Sequence, residues 1–146
     1  MSFSIEMLPE RVPPELSEAP AQFGRIELGT FRERFMSLTT FWSADDYRAH
    51  WRAAVGYIVE TGRDACLITS LHDPAESDLL FWWPMYRIDE KVCIRSGMLL
   101  FEQLDRPFRI DDAYTFVRPR EVHTTEDEPV SEWEVSIEDL RAFLDR

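Results

Sequence analysis

Few residues of this 146-residue chain could do nucleophilic or metal chemistry: Cys66 and Cys93, and the histidines His50, His72 and His123. A thiol–imidazole pair works through the thiolate. Both cysteines lie inside apolar runs, Ala65-Cys66-Leu67-Ile68 and Val92-Cys93-Ile94, where burial raises a thiol pKa and suppresses that form. They read as small core residues. The histidines are scattered, no two stand at ligand spacing, and there is no C-x-x-C, so no metal site is expected. His50 reads as a partly buried packing residue. The five glycines build neither a phosphate loop nor a dinucleotide fingerprint. With 28 Asp and Glu, carboxylate pairs suited to acid–base work arise by chance, and a solvated surface accounts for them. The sequence therefore predicts no catalytic residue, no metal and no cofactor. In Phe81-Trp82-Trp83, one tryptophan is expected in the core and the other half-exposed, and Trp82 is the candidate contact anchor.

The elements that must position these residues are legible in part. Residues 1–20 carry four prolines and four acids and read as a mobile tail, or one draped on a single domain of residues 21–146. Phe23 to Phe41 alternates Arg25, Glu27, Arg32 and Arg34 with apolar neighbours, which is extended chain bent near Gly24 or Gly29. Ser43 is an N-cap with Asp46 three residues on. Tyr47, Trp51, Ala54, Val55 and Ile58 then recur at helical spacing and Gly62 stands past the end, which predicts a helix over 44–61. Runs at 65–71, 79–86 and 92–101, punctuated by His72-Asp73-Pro74 and Asp89-Glu90, predict an antiparallel meander. Pro84 in the second run predicts an edge, a bulge or a strand end. Residues 102–117 fit no single element, and 118–129 read as a polar loop. Val130 to Val135 reads as a strand with Trp133 and Val135 inward and Glu132 and Glu134 outward. A last helix, capped by Ser136, presents Ile137, Leu140, Phe143 and Leu144. The fold class is α+β: one antiparallel sheet meander packed on a long amphipathic helix, with a C-terminal helix.

Charge excludes some functions. Acids outnumber bases 28 to 16, for a net charge of −12. Nucleic acid and anionic membrane surfaces both select for the opposite sign, so neither is an expected partner; a basic protein is. Between Glu121 and Asp139 stand eight acids and no Lys or Arg: Glu121, Glu126, Asp127, Glu128, Glu132, Glu134, Glu138 and Asp139. Such a run is either a solvated face or a docking surface for a basic partner. Its candidate contacts are Glu126, Asp127, Glu128, Glu132 and Glu134. No stretch approaches a membrane span and no basic leader precedes Met7, so a cytoplasmic protein is expected.

A set of aromatic landmarks narrows this. Phe41-Trp42-Ser43-Ala44-Asp45-Asp46-Tyr47, Trp51, the strand Cys66–Leu71 with Asp73-Pro74, and Trp83-Pro84-Met85-Tyr86 come first. Leu99-Leu100-Phe101, Pro107-Phe108 and Ser131-Glu132-Trp133-Glu134-Val135 follow in order. Over about residues 35–144 the chain resembles the small bacterial immunity proteins of contact-dependent growth inhibition, the CdiI-like family. The resemblance implies a cytosolic, non-catalytic protein that binds and neutralises the toxic C-terminal domain of a polymorphic toxin, often a nuclease with a basic surface. Two other classes stay open from the residues alone: a regulatory protein-binding module unrelated to toxins, and a small enzyme with a motif-free apolar pocket.

Overall fold

The computed structural model describes residues 2–121 and 131–146. Period-two alternation organises the start of the chain. In β1 (Phe3–Arg11), Phe3, Ile5 and Met7 are buried while Glu6 stays exposed. This strand pairs antiparallel with β2 (Ala21–Leu28), which pairs with β3 (Phe31–Leu38) to make a three-stranded sheet. The mobile tail expected over residues 1–20 is thus corrected. Its first half is an integral strand whose three apolar side chains enter the core, with Glu6 ion-paired to Arg25 of β2. Of the two candidate bends, Gly29 makes the β2–β3 turn at φ 67°, in the left-handed region glycine tolerates.

The helix α1 (Ala44–Thr61) begins and ends where the sequence places it. The Ser43 Oγ accepts the Asp46 N–H at 3.2 Å, the Asp46 carboxylate accepts the Ser43 N–H at 2.9 Å, and Gly62 closes the helix at φ 71°. Tyr47, Trp51, Ala54, Val55 and Ile58 are buried along one face.

A second antiparallel sheet contains β4 (Ala65–Ser70), β5 (Leu79–Ile88), β6 (Lys91–Ile94), β7 (Gly97–Leu100) and β8 (Trp133–Ser136). β5 is its axis. β4 runs along one side, β6 and β7 share the other in succession, and β8 flanks β6. The run at 92–101 is therefore two strands, interrupted at Arg95-Ser96. Pro84 falls in the gap between the Trp82–Gly97 and Met85–Ile94 pairings, where its carbonyl accepts the Arg95 N–H at 3.0 Å. No ladder bond is asked of its nitrogen there. The closing helix α2 (Ile137–Leu144) repeats the capping box with Ser136 and Asp139, and Arg52 of α1 donates to its last carbonyls at Phe143 and Leu144.

Both faces of the second sheet are covered, which explains its nearly unbroken apolar runs. One face carries Leu67, Trp83, Met85, Val92 and Ile94 into the core shared with the first sheet, α1 and α2. The other carries Cys66, Ile68, Leu80, Trp82 and Leu99 against Phe108, Ala113 and Phe116. These last three come from residues 101–117, which fold into 3-10 turns at Phe101–Gln103 and Ile110–Phe116. Double coverage corrects the reading of the tryptophan pair. Trp82 is 5% exposed and Trp83 3%; the exposed aromatic of that run is Phe81, at 49%.

Candidate functional site

Cys66, Cys93 and His50 are built into the scaffold. Cys66 and Cys93 are free thiols, both buried. Burial pushes both thiol pKa values up, and the Glu132 carboxylate adds to the effect at Cys93. Neither is poised as a nucleophile. His50 accepts the Ile68 N–H through Nε2 at 2.8 Å, and burial lowers its pKa to about 4. It is a neutral structural acceptor. His72 shares a 2.9 Å hydrogen bond with Thr40 at the surface. Among the described residues, no three His, Cys, Asp or Glu side chains gather to hold a metal ion. No helix among them is long and apolar enough to cross a membrane.

The acidic candidates separate into distinct situations. Glu126, Asp127 and Glu128, like His123, lie outside the described residues. Val135 is buried, and Trp133 stacks on Phe31 at a centroid distance of 4.3 Å. Glu134, on the opposite face of β8, is half-exposed and stands 3.6 Å from Lys91 of β6. Glu132 is not the solvated acid that the linear charge run suggested. Its Oε2 accepts Arg95 Nε at 2.9 Å and its Oε1 accepts Arg120 Nη2 at 2.5 Å, with the side chain only 18% exposed. Burial pushes this carboxyl pKa up, but the hydrogen bonds and charges of Arg120 and Arg95 prevail and hold it below the usual glutamate value. Arg95 also donates to the Glu121 carbonyl and lies 5.2 Å over the Tyr86 ring. The eight-acid run is thus partly neutralised in space by Arg95, Arg120 and Lys91, which lie outside it in sequence.

A different feature of the surface was not singled out by sequence reasoning. Between β3 and the β5–β7 pair lies an open cleft of about 460 Å³. Phe35 and Trp83 form its apolar walls, and Met36, Phe81 and Met98 stand at its rim, 45%, 49% and 49% exposed. Glu33 lines it as well. In β3, Phe31, Glu33 and Phe35 alternate onto one side, and the cross-strand neighbour of Glu33 is the fully buried Ile26. Glu33 is therefore a solvent-exposed acid on the same side of an edge strand as Phe31 and Phe35. That signal was present in the sequence as Phe31-Arg32-Glu33-Arg34-Phe35. Among the described residues its carboxylate has no ion-pair or hydrogen-bond partner.

Comparison with known proteins decides what these surfaces belong to. The family model described as the CdiI N-terminal domain matches residues 37–143, well over half of the chain. The chain belongs to the CdiI family of immunity proteins. The CdiI match starts at the end of β3 and takes in α1, the whole second sheet and nearly all of α2. The chain is also similar to the immunity protein CdiI of Enterobacter cloacae subsp. cloacae, 24% identical over 120 residues, spanning 82% of this chain and 80% of that protein. Its fold matches a chain of the CdiA-CT/CdiI toxin and immunity complex from Enterobacter cloacae. That match has a TM-score of 0.88 at 22% identity and covers 98% of this chain and 96% of the other. The structural match thus extends the shared fold through the first sheet, most of which precedes the family-model match.

Proposed function

We propose that this chain is a non-catalytic immunity protein that binds the toxic C-terminal domain of a cognate CdiA-type toxin and neutralises it in the cytoplasm. Membership of the CdiI family over residues 37–143 carries the reading. The chemistry of the chain supports it. Its two thiols are buried with raised pKa values, and His50 is a neutral hydrogen-bond acceptor in the packing of α1 on β4. The net charge of −12 suits a basic partner. We read that partner as a nuclease domain: a groove built to hold phosphates is positive, and an acidic protein can occlude it by presenting like charge. Glu126, Asp127, Glu128 and Glu134 are the acids assigned to that contact. Glu132, bound by Arg95 and Arg120, is assigned a structural role.

Co-expression with the toxin encoded beside this gene tests the reading. Survival of cells that otherwise die, together with a one-to-one complex on purification, is the expected result. Death of cells making a soluble, folded immunity chain would end it.

A further inference from the structure

The cleft between β3 and β5–β7 has the character of a recognition site. Six large apolar residues are conspicuously exposed among the described residues: Leu16, Met36, Phe41, Phe81, Ile88 and Met98. Three of them, Met36, Phe81 and Met98, line this one cleft. Scattered single exposures need no explanation, but convergence on one concavity does. The walls beneath are aromatic, formed by Phe35 and Trp83. The two thioethers at the rim are adaptable and can re-pack around an incoming group. Beside these apolar walls the fold places one solvent-exposed carboxylate, Glu33, without a partner among the described residues.

We infer that the cleft receives a basic side chain, lysine or arginine, from the toxin domain. Its methylenes would lie on Phe81, Met98 and the Trp83 wall, and its cationic head would meet Glu33. This rests on the toxin-binding reading above and names a specific contact within it. Lys and Arg are the side chains that combine a long apolar stem with a charged tip, and an aromatic wall adds attraction for the cation. Charge complementarity selects this occupant over a second copy of the chain. Two molecules of net charge −12 repel, and charged side chains along an edge strand such as β3 discourage edge-to-edge sheet pairing.

The test is the affinity of the full-length chain for the purified, catalytically inactivated toxin domain, measured by calorimetry with Glu33→Lys, Glu33→Gln and Phe81→Ser. Both positions are on the surface, and thermal melting identifies any variant that is not folded. Glu33→Lys and Phe81→Ser are each expected to weaken binding at least tenfold and Glu33→Gln by a smaller factor. Glu60→Lys, an equal charge change on α1, should not match them. A single Lys or Arg of the toxin changed to Glu should restore affinity for Glu33→Lys. Unchanged affinity of folded Glu33→Lys and Phe81→Ser, while the wild type binds tightly, overturns the cleft assignment and leaves the immunity reading standing. Failure of the wild type itself to bind overturns both. A wild-type dimer in light scattering that Phe81→Ser dissolves would assign the cleft to a second copy and overturn the toxin contact.

Discussion

His50 accepts the backbone N–H of Ile68 through Nε2 at 2.8 Å, and its neighbour Trp51 donates its indole N–H to the Ile68 carbonyl at 2.7 Å. One turn earlier, the Tyr47 hydroxyl accepts the Leu71 N–H at 2.9 Å and lies 2.6 Å from the Leu38 carbonyl, to which it donates. β4 has a strand partner on one side only, so its outward backbone groups need partners from elsewhere. Side chains of α1 supply them. The helix both packs on the sheet and closes its edge, which is why burial raises the Tyr47 pKa to about 12 and lowers that of His50 to about 4.

The His50 contact predicts a pH dependence of stability. With an unfolded value of about 6.5, the unfolded chain binds a proton below that pH which the folded chain refuses until about pH 4. Its stabilising contribution is therefore complete above pH 6.5 and is lost as the pH falls from 6.5 to 4, by on the order of 2–3 kcal/mol. His50→Gln keeps an acceptor near the position of Nε2 and removes the titration. The difference in unfolding free energy between wild type and variant, from urea melts, should be constant above pH 7 and shrink toward pH 5. Parallel curves across that range would refute the assignment.

A second prediction concerns the packing of β3 on β2. A Cβ built on Gly24 would lie 2.2 Å from Cε2 of Phe35, so glycine is what lets that ring cover the strand. The ring is also held edge-on to Trp51 at 5.7 Å and cannot retreat freely. Gly24→Ala should destabilise the chain by about 1–3 kcal/mol through overpacking. Adding Phe35→Leu should recover part of that loss, a non-additivity that a double-mutant cycle in urea would measure.

Local signals made α1 readable. Ser43, Asp46 and Gly62 are a start, a box and a stop within one segment, and the buried face repeats at 3.6 residues. β1 was masked by composition, because Pro9, Pro13, Pro14 and Pro20 outweighed the alternation of Phe3, Ile5 and Met7. Trp82 and Trp83 defeated a two-faced reading because residues 101–117 cover the face of β5 that a simple meander leaves open. The acidic run misled for a related reason. Arg95 reaches Glu132 across 37 positions of sequence, which a linear charge count cannot register.

That pairing yields a third prediction. Glu132→Gln removes the charge that both Arg95 and Arg120 address, and Arg95 is only 12% exposed. Leaving a largely buried guanidinium without its carboxylate should destabilise the fold by about 1–3 kcal/mol. The effect should follow pH with a defined sign. The Glu132 pKa is depressed in the folded state, so its contribution is present above the unfolded carboxyl value and fades as acid protonates it. Wild type and Glu132→Gln should therefore converge in stability as the pH is lowered through that carboxyl titration, read by thermal or urea unfolding.

The final prediction separates the acids that would meet a toxin from the acid that holds the structure. Glu126, Asp127 and Glu128 belong to the run in which no Lys or Arg intervenes between Glu121 and Asp139, and the proposed docking assigns them to a basic surface. Glu132 carries the same formal charge, but its two arginine contacts make it a structural group. Changing Glu126, Asp127 and Glu128 together to Lys should leave the melting temperature near that of wild type while slowing association with the toxin domain by an order of magnitude or more. Salt supplies an independent readout. Exposed charges act over about 10 Å at 0.1 M ionic strength and about 3 Å at 1 M. The wild-type association rate should therefore fall steeply across that range and the triple variant's only slightly, so that the two converge at high salt. Dissociation rates, set more by the packed contacts than by the rim charges, should change less. Equal salt slopes for the two proteins, or full protection of toxin-expressing cells by the triple variant, would remove these three acids from the interface and leave Glu134 and the cleft around Glu33 as the candidates for electrostatic recognition.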